Sequence, residues 1–301
     1  MRYILSLLSI SVALLLCSCG HELTFKEENG VLSLHQQEQL IFSYQVETKS
    51  HQGTYPRANY IHPLNDFSDN PLTEDFPEDH LHQRGIFWSW HQVYIDTVSM
   101  ADPWECRDIQ WKVSEVEHWA VGKSGGFSAN VDWLVGPQNL QVVQEKVAVV
   151  CQIFPEYYYL DFDISMISTQ QALSIGGSDD NKGYGGFSAR LMMGENVSFR
   201  DVDGQVEPDN EQVQAGHWIH MDDIGAGSAH VVLMYHPESS AKLQGWILRK
   251  KGSMQNPVWP GSERVVLNQG DQVDLRARVV VFKGSPIDEQ IVDIYSDYIA
   301  E

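Results

Sequence analysis

Seven consecutive residues, Asp79-His80-Leu81-His82-Gln83-Arg84-Gly85, form the densest polar cluster in the 301-residue chain. If the backbone there is extended, His80 and His82 point the same way with Arg84 beside them. Two imidazoles can relay protons near neutral pH or hold a metal ion. Asp79 can orient one imidazole or raise its pKa. Arg84 can clamp a carboxylate or a diol. The competing reading is a hydrogen-bonded loop anchor, in which each histidine caps a backbone group. His80, His82 and Asp79 are the catalytic candidates, and Arg84 is a candidate substrate contact.

Other stretches can supply partners. Arg57 and His62, in Arg57-Ala58-Asn59-Tyr60-Ile61-His62-Pro63, are near enough in sequence to meet the same pocket, or to lie on a solvated strand edge. The run Ile86-Phe87-Trp88-Ser89-Trp90-His91 follows the cluster directly and offers Trp88 and His91. Trp104, in Asp102-Pro103-Trp104-Glu105, suits stacking on the C–H face of a pyranose, or plugging the core from a loop. The glycine-rich loop Gly176–Phe187 carries Lys182 and Tyr184, and its glycines permit close backbone approach. His236, just before Pro237, marks a strand end. No nucleotide-binding glycine motif, P-loop, HExxH, GxSxG or CxxC occurs, and no cofactor or metal site is assigned.

Strands must position these groups. Residues 160–166 and 273–279 alternate apolar and polar, which puts one set of side chains on a core face. Strand-like runs also cover 142–154, 230–235 and 244–249, and Asn29-Gly30, Gly136-Pro137, Asp203-Gly204 and Asn268-Gln269-Gly270 read as turns. One helix is expected near the C-terminus, with Ser285 as N-cap, Pro286 at the first helical position and a stripe of Ile287, Ile291, Ile294 and Tyr298. Residues 50–110 show little alternation and read as a long, loop-rich, functional segment.

The chain carries 41 acidic against 20 basic residues, a formal charge of −21. Such acidity opposes nucleic-acid binding, for which Arg249-Lys250-Lys251 is the lone basic cluster, and opposes docking on anionic lipid. Residues 1–18 read as a signal peptide, with Arg2 as the positive end and an apolar run too short to span a bilayer. Leu16-Cys17-Ser18-Cys19-Gly20 resembles a bacterial lipobox, which implies acylation of Cys19. The expected organisation is a leader at 1–18, a tether at 19–24 and a single β-sandwich domain at 25–301. The protein would sit lipid-anchored in the bacterial cell envelope, touching the membrane through that anchor alone. Cys106 and Cys151 can pair there or remain free thiols.

Taken in order, Arg57 with His62-Pro63, the Asp79–Gly85 string, Asp102-Pro103-Trp104, Lys182–Phe187 with Arg190, Trp218 and Tyr235-His236-Pro237 resemble the PmoA-like family of unknown function, whose string is close to D-H-x-H-H-R-G. Gln83 stands where that family usually has His, and glutamine can hydrogen-bond but cannot shuttle a proton. The resemblance implies an all-β fold, a large antiparallel β-sandwich of the galactose-mutarotase type with one C-terminal helix. It also implies a carbohydrate or sugar-derived ligand. The methane-oxygenase label is not adopted, because this chain has none of the expected spanning helices after its leader. The expected function is a tethered carbohydrate-active hydrolase, lyase or epimerase, with His80 and His82 as acid and base. Arg57, Arg84 and Lys182 would bind hydroxyls or a uronate, Trp88 and Trp104 would stack on the sugar, and His62, His91, Tyr184 and His236 would contribute further contacts. The alternatives are a non-catalytic sugar-binding lipoprotein, and a metal-dependent oxygenase using His62, His80 and His82.

Overall fold

The computed structural model describes residues 22–301. The leader, Cys19 and the tether up to residue 21 lie outside the described residues. The first strand, Leu23–Glu28, takes in the end of the expected tether and pairs with Val31–Gln36 through the Asn29-Gly30 turn. Among the described residues no helix is long and apolar enough to cross a membrane.

Two large antiparallel sheets face each other. The nine-stranded sheet runs, edge to edge, through Ile109–Val121, Ser124–Val135, Leu140–Ile153, Tyr157–Ser168, Gln272–Phe282, Ala229–Tyr235, Trp218–Ile224, Phe199–Asp201 and Gly204–Gln205. The six-stranded sheet runs through Leu23–Glu28, Val31–Gln36, Gln39–Gln45, Tyr60–Leu64, Ile86–Ser89 and Gly186–Ala189. A four-stranded sheet, which includes Leu173–Gly176 and Gln92–Ile95, adds to these.

The expected alternation is present in the long strands. Leu160, Phe162, Ile164 and Met166 are buried, as are Val273, Leu275, Ala277 and Val279, while the residues between them face the other way. Aromatic contacts join the two sheets: Tyr44 meets Phe127 at 4.3 Å between ring centroids, and Phe162 meets Phe187 at 5.0 Å and Trp88 at 6.3 Å. Burying each such ring stabilises the sandwich by about 1.5–3 kcal/mol.

Several local expectations need correction. The helix is Asp288–Ala300, with extended Ile287 as N-cap, so Ser285 and Pro286 lie before it and make no cap bond. Asp288 and Glu289 complement the helix dipole in the first turn instead. Ile291, Ile294 and Tyr298 bury against Trp218, Val232, Met234, Val280 and Phe282 on the outer face of the large sheet, whereas Ile287 is exposed. Residues 50–110 hold several short strands, and Ile86–Ser89 is buried at every position, so it has no alternation to read. The run at 244–249 yields only the two-residue strand Trp246–Ile247. Cys106 and Cys151 are both buried and free, so the disulfide alternative falls.

A carboxyl sits inside the sandwich. Glu145 points inward from Leu140–Ile153 and accepts hydrogen bonds from Asn59 Nδ2 (2.8 Å), Trp88 Nε1 (2.8 Å) and Trp133 Nε1 (2.7 Å). Burial pushes its pKa up from 4.5 to about 7, against the pull of those three donors. The unfolded chain ionises this group near pH 4.5, while the folded chain keeps the proton until about pH 7. Its contribution to stability is therefore complete below pH 4.5 and is lost as the pH rises through 7. Glu145→Gln cannot ionise. Between pH 4.5 and 7 the wild type should lose about 3 kcal/mol relative to this variant, at roughly 1.4 kcal/mol for each pH unit separating the two values. Urea unfolding of both proteins across this range checks it, and parallel stability curves would contradict it.

Candidate functional site

Loops near residues 76–83, 102–107, 177–185 and 248–255 supply the walls of a cleft of about 400 Å³. The first is closed at its base by the backbone bridge between Asp75 and Arg84, and the second by the bridge between Asp102 and Arg107. The expected extended conformation at 79–85 is not found. Two successive turns take its place, with hydrogen bonds from the His80 amide to Pro77 (3.0 Å) and from the Gln83 amide to His80 (2.9 Å). They still bring the two imidazoles together, edge to face at 5.6 Å. Gly85 ends the string because nothing larger fits: its φ is +48°, and a Cβ there would lie 2.0 Å from the Ile61 carbonyl oxygen. Gly177 serves the glycine-rich loop in the same way, since a Cβ would lie 2.2 Å from the Gly183 carbonyl oxygen.

His80 and His82 differ in environment. His80 Nδ1 lies 2.9 Å from Asp79 Oδ2, and both side chains are 40% exposed. Asp79 is itself held by Arg190, whose Nη2 donates to Oδ1 at 2.8 Å. Burial alone would raise the Asp79 carboxyl, but bonds from His80 and Arg190 overcome it and hold it below the usual carboxylate range. His82 is 12% exposed, with Nδ1 3.5 Å from Glu105 Oε2. Burial first, then the neighbouring His80, Arg57 and His91, lower its pKa to about 3. His82 is therefore neutral across the physiological range. Lys182, Arg249 and Lys251 line the same cleft and give it cationic walls in an acidic protein.

A second cleft of about 390 Å³ lies on the other side of Tyr184, which lines both. It holds His91, whose Nδ1 lies 3.2 Å from Asp102. Asp102 also accepts from Arg107 Nη2 at 2.7 Å. Trp104 fills the space beneath, stacked on His91 at 5.5 Å and packed against Tyr184 at 4.9 Å.

Of the residues singled out in the sequence, His80, His82, Trp104, Lys182 and Tyr184 line the first cleft, with Asp79 behind His80, and His91 lines the second. The others lie elsewhere. Arg84 is fully buried, with its guanidinium on Asp75, Tyr60 and the Tyr55 carbonyl, so it has no free donor fork for a ligand. Arg57 is 1% exposed and donates to the Pro103 carbonyl at 2.7 Å, under the loop that carries Trp104. Trp88 belongs to the sandwich core, with its N–H on Glu145, and has no face for a sugar. Trp104 is 1% exposed, so it supports the cleft floor and offers no open stacking face. His62 bonds Thr73 at 3.0 Å, apart from the two cleft histidines. His236 packs edge-on against Tyr298 of the C-terminal helix. Among the described residues no group of three or more His, Cys, Asp or Glu is arranged to hold a metal ion, so His62, His80 and His82 do not form a ligand set.

Gln83 has a definite structural partner. It is 2% exposed, and its Oε1 accepts from Arg190 Nη1 at 2.9 Å. Arg190 thus ties residues 79 and 83 of one loop together, a task that needs an acceptor at 83 and no proton shuttle. Glu105, Asp102, Arg249 and Lys251 were not assigned to a site from the sequence. Arg249 and Lys251 were visible as the lone basic cluster, and both carboxylates flank Trp104 in the Asp102–Glu105 stretch.

Among solved structures, the chain is similar to a galactose mutarotase related enzyme from Lactobacillus acidophilus (10% identity, 88% of this chain and 98% of that one, TM-score 0.41). It is also similar to a protein from Synechocystis sp. (9% identity, 94% and 100%, TM-score 0.40). A glycoside hydrolase family 97 enzyme in complex with acarbose, from Pseudoalteromonas sp., matches at 9% identity, 86% and 33% coverage and TM-score 0.28. No curated protein is significantly similar to the chain. The family whose model matches is described as one of unknown function, in line with the expected resemblance, and the PmoA label attached to that resemblance is not supported. With residues 32–296 matched, nearly the whole described chain, this protein belongs to the family of unknown function DUF6807.

Proposed function

We propose that the cleft around His80 and His82 acts on an acidic sugar, abstracting the proton on the carbon next to its carboxylate. The observation that carries this reading is the company the histidines keep: Lys182, Arg249 and Lys251 line the same cleft. Three cations in one cleft suit an anionic ligand, and they also stabilise the charge that develops when a carboxylate's α-carbon loses a proton.

The roles follow from the hydrogen bonds. Asp79 holds His80 through Nδ1, which leaves Nε2 as the lone pair that takes the proton. The electron pair left on carbon delocalises into the carboxylate held by the cations. A proton delivered from water to the other face completes an epimerisation, and the His80 imidazolium then releases the abstracted proton to solvent. Departure of the oxygen substituent one carbon further on, protonated by the His80 imidazolium as the C–O bond breaks, completes an elimination. His82 is too weakly basic to start as an imidazolium acid, so its neutral ring hydrogen-bonds to the ligand or to the departing oxygen. With the expected leader and acylated Cys19, this chemistry would operate in the cell envelope.

Incubation of residues 20–301 with uronate glycosides in deuterium oxide tests the reading. Either deuterium should enter at the carbon next to the carboxylate together with an epimer, or an unsaturated product with no hydrogen on that carbon should form, and NMR reads both. Binding of uronates without exchange, epimer or elimination would replace this enzyme with a sugar-binding protein.

A further inference from the structure

The cleft at His80 and His82 is one of three in a row. Tyr184 lines both it and the cleft at His91, about 390 Å³ in volume. Lys251 and Gly252, which do not line the His91 cleft, line both the cleft at His80 and His82 and a third cleft of about 540 Å³ beside Arg190, Met192 and Met193. Adjoining cavities that share single walls suit a chain-like ligand better than a lone ring. Resting on the acidic-sugar reading of the central cleft, we infer that the three are consecutive subsites for a linear oligosaccharide of at least three units. The acidic unit occupies the middle, and neutral units flank it.

The charge pattern along the row sets that order. The central cleft is cationic through Lys182, Arg249 and Lys251, with Glu105 the acidic residue among them. The cleft at His91 is lined by Asp102, Asp108, Asp179 and Asp180 against Arg107, and it repels a second carboxylate. Hydroxyl groups suit it. Asp102 holds His91 through Nδ1, and His91 Nε2 is buried with no hydrogen-bond partner among the described residues. Sugar hydroxyls would donate to the carboxylates of this cleft, and they would reach Nε2, an unsatisfied acceptor in that tautomer, through a small shift of the His91 ring. The third cleft presents Met192 and Met193, which can pack on the C–H face of a ring, and its charged lining residues, Glu74 and Glu195 against Arg190 and Lys251, balance to no net charge, which suits a neutral unit.

The test is a chain-length series with the uronate as the reacting unit: alone, with one neutral neighbour, with one on each side, and with two on each side. The rate constant kcat/KM, read as deuterium exchange or as unsaturated product, should rise about tenfold for each neighbour up to three units, as one good hydrogen bond or buried ring contact per unit provides, and then level off. Equal values for the single uronate and the trisaccharide overturn the inference and leave the acidic-sugar chemistry standing. Calorimetry on the same ligands separates the other failure: affinity that grows with length, without exchange or unsaturated product on any ligand, overturns the chemistry and keeps the row of subsites. His91→Gln and Met193→Glu should each lower the ratio of trisaccharide to single-uronate kcat/KM, whereas His236→Gln, at the C-terminal helix, should not. An unchanged ratio in both cleft variants would also overturn the assignment.

Discussion

Replacing His80 with alanine is expected to slow deuterium exchange on a uronate by about 10²–10⁴-fold, the usual worth of a positioned general base. The loss should fall on kcat, because the cations that bind the carboxylate are untouched. Asp79→Asn should reproduce part of the effect: an amide in place of the carboxylate no longer demands the Nδ1–H tautomer, so Nε2 ceases to be a dependable acceptor. His82→Gln should be milder, since a neutral imidazole acting by hydrogen bonding is partly replaced by a neutral amide. A His80→Ala enzyme with wild-type kcat, and a His82 variant that has lost it, would assign the base to the wrong imidazole.

Arg84→Met is expected to destabilise the fold by about 3–5 kcal/mol, because it strands a buried carboxylate. Arg84 is fully buried, with its guanidinium 3.5 Å from the Phe76 ring centroid and 4.5 Å from that of Tyr60. Its partner Asp75 is 6% exposed and would retain Lys49, 2.8 Å away and 49% exposed, as its one cation, with a long hydrogen bond of 3.4 Å from the Tyr60 hydroxyl. Burial would raise the Asp75 carboxyl, but Arg84 and Lys49 hold it below the usual carboxylate range. Pairing Arg84→Met with Asp75→Asn removes the stranded charge, so the double variant should recover part of the loss and show strong coupling in a double-mutant cycle. Chemical denaturation measures all three proteins. A single-variant loss under about 1 kcal/mol would mean that the pair is not the clasp of the histidine loop. Because Arg84 lines none of the three clefts described, KM of the folded fraction should change little.

These two predictions concern residues four positions apart in one sequence string, and the string alone did not distinguish their roles. In sequence, Arg84 looked like a ligand clamp. Its burial depends on Asp75, Tyr60 and the Tyr55 carbonyl, which come from other segments. The same holds for Trp88, set apart from the cleft by Glu145 and Phe162, both far along the chain.

The long strands were legible because one side of each is buried, and a period of two survives in 160–166 and 273–279. The apolar stripe of Ile291, Ile294 and Tyr298 was legible for the same reason at the helical period, although the start of the helix was not. Ile86–Ser89, buried on both faces, carries no such signal.

By itself, the sequence determined that the chain is an antiparallel β protein with a C-terminal helix, and it singled out residues 79–85 as the densest polar cluster, since alternation, turn residues and clustered side-chain types are local properties. Only the tertiary structure decided which of the clustered charges face a cleft and which are clasped inside. It alone brought Glu105, Arg249 and Lys251 to His82, because burial and partnership depend on loops that meet only when the sheets have closed.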